Sequence, residues 1–167
     1  LLHAVSHSLT KGLLFLTAGN ILAAFGTKKI SAIHGLLNRL PTSGCLWLAG
    51  FLAITGSPPF GLFVSELVIL KGMAEAQRWG VAALYLMALG VILVAMARLV
   101  LPMAFGLPPT PSGETSAVPP TPPRRREALW SVAPGLVLLL AVLVLGLHVP
   151  APLWDFLQAA AQIGGQP

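Results

Sequence analysis

HAVSHSLTKGLLFLTAGNILAAF, residues 3–25, is apolar enough to enter a bilayer yet carries His3, His7 and Lys11 at four-residue spacing. At about 100° per residue those side chains lie within roughly 80° of arc on one helix, and Ser6, Thr10 and Thr17 widen the polar wedge to about 140°. Ionisable groups are expensive in hydrocarbon, so such a row is expected to face a protein interior or a water file, where it can exchange protons. Core hydrogen bonding without proton transfer is the alternative reading. Histidines at i and i+4 can also share a metal, but the third position is the cation Lys11 and no carboxylate or thiol lies nearby, so no metal is expected.

Outward from this helix, the whole chain is built of similar runs. It has 167 residues, 56% hydrophobic and 9% charged, with a mean hydropathy of +0.84, too little polar residue to cover a soluble globule. Leu1–Ala24, Gly44–Met73, Trp79–Leu101 and Leu129–Val149 are each long enough to cross a bilayer core, which takes about 20 helical residues. The expected fold is therefore an all-α polytopic membrane protein with four transmembrane helices and short interfacial helices. The chain starts inside an apolar run without methionine or a charged leader region, and reads as the C-terminal portion of a longer protein. The single Cys45 reads as a packing residue.

If all four runs cross, Lys28, Lys29, Arg39, Arg124, Arg125 and Arg126 collect on one side, against Lys71 and Arg78 with Glu75 on the other. The positive-inside rule makes the first side cytoplasmic. The net charge of +5 then marks topology, and no nucleic-acid partner is expected. Residues 1–106 read as three spans, 107–127 as a Pro-rich basic linker, 128–149 as the last span, nearly uniform and lipid-facing, and 150–167 as an interfacial helix and tail. Ile33, Leu36, Leu37 and Leu40 predict a short interfacial helix over 30–40, with His34 on its surface. His148 reads as interfacial, and Arg98 as a residue that snorkels to the headgroups or joins the charge chain.

The second run contains Thr55-Gly56-Ser57-Pro58-Pro59-Phe60. Pro58 and Pro59 have no N–H, so the carbonyls of Ile54 and Thr55 would lose their helical partners, and Gly56 relaxes the backbone before them. A break is expected between Ile54 and Phe60, tolerated in a membrane only where protein or water satisfies the freed groups. Glu66 follows by about two turns, with no cation at three- or four-residue spacing. It should pair with a charge from another helix or take up a proton, or else lie at the headgroups.

The combination of H-x-x-x-H-x-x-x-K with G-S-P-P-F-x-x-x-x-S-E resembles the antiporter-like membrane subunits shared by respiratory complex I, multisubunit cation/proton antiporters and group 4 hydrogenases. The AGNIL and FGTKKIS wording is most similar to the hydrogenase-4 component F branch. The resemblance is strong to about Leu70 and rests on hydropathy beyond Trp79. It implies a proton-translocating subunit of a redox-driven complex in a bacterial or archaeal plasma membrane, with Lys11 as relay, His3 and His7 beside it and Glu66 at the outer exit. It also implies an upstream half, with a first broken helix and a lysine–glutamate pair, that this chain lacks. Other membrane subunits and lipid are the implied partners, protons the cargo. No cofactor and no catalysis by this chain alone are expected. A redox-independent cation/proton antiporter subunit and a scaffold without transport are the alternatives.

Overall fold

The computed structural model describes residues 1–106, 126–148 and 156. Of the expected linker over 107–127 all but residues 126 and 127, and of the expected helix and tail over 150–167 all but Phe156, lie outside the described residues. Every described element is helical: α1 (Leu2–Phe25), a 3-10 turn (Ile30–Ala32), α2 (Leu36–Arg39), α3 (Pro41–Ile54), α4 (Gly61–Glu75), α5 (Trp79–Phe105) and α6 (Leu129–Leu147). Among the described residues, α1, α5 and α6 are long and apolar enough to cross a membrane, while α3 is a shorter apolar helix. The chain is a multi-pass protein of the cell membrane.

α1 packs chiefly against α6 and α3. Its buried stripe is Ser6, Thr10, Leu13, Thr17 and Ile21. Thr10 donates to the Ser6 carbonyl (2.7 Å) and Thr17 to the Leu13 carbonyl (2.8 Å), while the Ser6 hydroxyl is buried without a partner among the described residues. α6 is the main partner of α1, burying Val132, Gly135, Val142 and Leu145 while Val137, Leu140 and Val144 stay exposed. Small residues permit this approach: a Cβ on Gly135 would stand 3.1 Å from a Leu46 methyl.

The segment 30–40 also differs from expectation. A single turn at Ile30–Ala32 and the four-residue α2 replace one interfacial helix, with Ile33 extended between them. Ile33, Leu36 and Leu40 are instead drawn into a cluster with Ile21 and Met103. Tertiary burial outweighs the local periodicity, because four residues make too short a helix to be stable alone. His34 is half-buried, its Nε2 2.8 Å from the Ser31 carbonyl. Cys45 is exposed on α3 rather than packed.

The basic end is tied together by side chains. Arg39 donates to the Ala24 carbonyl at the end of α1 (2.8 Å), with its guanidinium 4.4 Å from the centre of the Phe25 ring, so a cation sits where the helix dipole is negative. Glu127 accepts from the backbone N–H groups of Thr42 (2.7 Å) and Ser43 (2.9 Å) and from the Ser43 hydroxyl. A carboxylate beside the start of α6 thus satisfies two donors in the first turn of α3. At the other end of α4, Lys71 and Glu75 form an exposed ion pair at 3.7 Å.

Candidate functional site

α3 ends at Ile54 and α4 begins at Gly61. The two prolines remove consecutive donors, so helical bonding cannot run through. The chain turns instead: Ser57 N–H donates to the Leu52 carbonyl (2.9 Å), Phe60 N–H to the Ser57 carbonyl (3.2 Å), and the Thr55 hydroxyl to the Phe51 carbonyl (2.8 Å). Gly56 takes φ 66°, the left-handed region that suits a residue without Cβ. α6 meets this turn so closely that a Cβ on Gly146 would overlap the Pro59 carbonyl oxygen.

Glu66, one turn and a half into α4, is half-buried and folds back on the turn. A Cβ on Gly56 would overlap its carboxylate, so the two groups are in direct apposition. A cleft of about 230 Å³ lies beside them, lined by Thr55, Gly56 and Glu66 and by Tyr85 and Leu89 of α5. Tyr85, the chain's one tyrosine, is within electrostatic reach of Glu66.

His3 connects α1 to this place. Its Nδ1 is 2.9 Å from the hydroxyl of Ser65, the neighbour of Glu66. Ser65 gives its own proton to the Leu62 carbonyl (2.8 Å), so His3 Nδ1–H is the donor and, in the neutral ring, Nε2 is the basic nitrogen. His3 is also within electrostatic reach of Glu66. Its ring stacks on His7, with centres 5.9 Å apart and planes 16° from parallel. His7 in turn feels the charge of Lys11.

Lys11 is the outlier. Side chains at i and i+4 advance about 40° around a helix. The row therefore climbs from half-buried His3 and His7 to an exposed Lys11, which has no hydrogen bond or ion pair among the described residues. The structure thus brings His3, His7, Glu66 and Gly56 together and leaves Lys11 on the open flank of α1. Pro58 and Pro59 form the turn itself. Among the described residues, no three His, Cys, Asp or Glu side chains converge as a metal site would require.

Sequence reasoning passed over Ser65 and Tyr85 beside Glu66, and Asn20 and Glu127 at the basic end. Asn20 donates to the Ser131 carbonyl (2.8 Å) and lies 3.5 Å from the Ser43 hydroxyl. A carboxylate next to an apolar run, and the lone tyrosine in mid-span, were the available signals.

Comparison with known proteins identifies the surroundings of this arrangement. The family model described as NADH:quinone oxidoreductase/Mrp antiporter, TM, matches residues 1–97. The chain is 33% identical over 151 residues to NADH-quinone oxidoreductase subunit N of Desulforudis audaxviator, covering 88% of this chain and 30% of that protein. It is 36% identical over 118 residues to a hydrogenase-4 component F homolog of Methylacidiphilum infernorum, covering 71% of this chain and 24% of that one. A chain in the structure of the Mrp complex from Dietzia sp. shares the fold, with a TM-score of 0.70 at 24% identity over 85% of this chain and 33% of its own. The chain thus spans a third or less of the length of these relatives.

Proposed function

Because the chain belongs to the NADH:quinone oxidoreductase/Mrp antiporter transmembrane family, we propose that it is part of a proton-translocating subunit in a respiratory or hydrogenase complex. The observation that carries this reading is the His3–Ser65 hydrogen bond, made by the chain neighbour of Glu66 beside the helix break. It places a histidine pair of α1 within electrostatic reach of a carboxylate of α4. Protons pass along Lys11, His7 and His3 to Glu66, whose cleft beside Tyr85 leads outward. Lys11 supports the reading from its exposed side: an ammonium at membrane depth does not face lipid, so further helices of the same subunit cover that flank. The four crossings, with α3 and α4 together forming the second, and the cytoplasmic placing of the basic end belong to the same proposal. Redox chemistry takes place in partner subunits, and this chain supplies none.

A redox-independent cation/proton antiporter subunit is the second reading, favoured by the fold shared with a chain of the Mrp complex. Sealed inverted vesicles containing the assembled complex separate the two. Proton uptake that requires an electron donor supports the first. Uptake or release driven by a cation gradient alone supports the second. Proton movement under neither condition leaves only a scaffold.

A further inference from the structure

The cleft beside Glu66 lies between α4 and α5 and holds about 230 Å³, room for several water molecules. Besides Glu66, the polar side chains among the described residues that line it are Thr55 and Tyr85; the rest of that lining is leucine, phenylalanine and glycine. The Thr55 hydroxyl gives its proton to the Phe51 carbonyl (2.8 Å) and so has none to pass on. Tyr85 is different. Its hydroxyl makes no hydrogen bond among the described residues, which leaves both its proton and its lone pairs free to exchange. α5 turns this residue inward: Ala82 is buried and Tyr85 and Leu89 are half-buried along one stripe, while Leu84 and Met87 beside them are exposed.

Depth puts the two groups in order. Counted from the turn at residues 76–78 that joins α4 to α5, Glu66 lies about ten residues away on one helix and Tyr85 about seven on the other, a difference of about 5 Å along the axes. Tyr85 thus stands nearly one helical turn closer to that end. Helical side chains lean toward the N-terminus of their own helix, which carries Glu66 back onto Gly56 at the break and tilts Tyr85 toward the turn. A proton leaving the carboxylate in that direction meets the phenol next. We propose that the Tyr85 hydroxyl is the station after Glu66: water in the cleft delivers a proton to the phenol oxygen while the phenol releases its own outward, one O–H bond forming as the other breaks. The inference rests on the reading of Glu66 as the exit residue and adds the group that receives from it.

The test compares Tyr85→Phe, Tyr85→His and Glu66→Gln in the full-length subunit within its complex, read as proton uptake per assembled complex in sealed inverted vesicles. Tyr85→Phe keeps the ring and removes the hydroxyl, and is expected to cut uptake several-fold. Tyr85→His fits the site less well but restores a side chain that both donates and accepts, so its uptake should exceed that of Tyr85→Phe. A packing role for the ring would give the opposite order. Normal uptake in Tyr85→Phe beside reduced uptake in Glu66→Gln overturns the inference and leaves the exit residue in place. Equal loss in the two tyrosine variants overturns it as well, because the shape of the phenol and not its hydroxyl then matters. So does failure of Tyr85→Phe to assemble, which would mean that the hydroxyl holds the fold. Normal uptake in Glu66→Gln removes the exit reading itself, and this inference with it.

Discussion

The carboxylate of Glu66 rests on Gly56, close enough that any side chain at Gly56 would overlap it. The helix break and the ionisable residue that follows it are therefore one unit, shaped by the absence of a single Cβ. Gly56→Ala should destabilise the protein twice over, through the left-handed φ, worth roughly 1–2 kcal/mol, and through collision with the carboxylate. Glu66→Ala removes the second cause only. Thermal unfolding of the double-mutant cycle should show a smaller cost for Gly56→Ala in the Glu66→Ala background; equal costs would mean that the two residues do not touch.

Glu66→Gln keeps the shape of the side chain and removes its charge. Proton uptake per assembled complex should fall markedly, while complex content stays near that of the wild type. Unchanged uptake would show that protons leave by another group.

Lys11→Ala removes an amine from the open flank of α1 without disturbing the buried stripe. It should reduce uptake far more than assembly. Lys11→Arg should impair uptake as well, because a guanidinium does not release its proton in turn. Normal uptake per complex in both variants would refute the relay.

His3 and Ser65 form one link, so their losses should not add. Ser65→Ala leaves His3 Nδ1–H without its acceptor, and His3→Ala removes the donor. Either change should slow uptake, and the pair together should be about as slow as the worse single variant. Fully multiplicative effects would show that they act separately.

Glu127→Ala leaves the N–H groups of Thr42 and Ser43 unpaired and should cost roughly 1–3 kcal/mol of stability. Glu127→Gln retains an acceptor oxygen and should cost less. Thermal unfolding in a fixed detergent checks both.

What the sequence makes legible is local. Helix runs follow from apolar length, and the stop at Ile54 follows from prolines that lack a donor whatever surrounds them. The face of α1 is only partly legible. Periodicity merges Ser6, Thr10 and Thr17 with His3, His7 and Lys11 into one wedge, but where burial is centred depends on α3 and α6, and it falls on the hydroxyls, leaving Lys11 at the margin. The segment 30–40 shows the same limit, since partners as distant as Ile21 and Met103 draw Ile33 and Leu36 inward. The uniform apolar composition of α6 hides which side packs. No spacing rule reaches from Glu127 to Ser43, because the contact spans 84 residues.

That last contact orders the making of the protein. Ribosomes deliver residues 42 and 43 well before residue 127, so the opening N–H groups of α3 wait until a later segment answers them. The Glu127 carboxylate thus closes a helix end laid down 84 residues earlier.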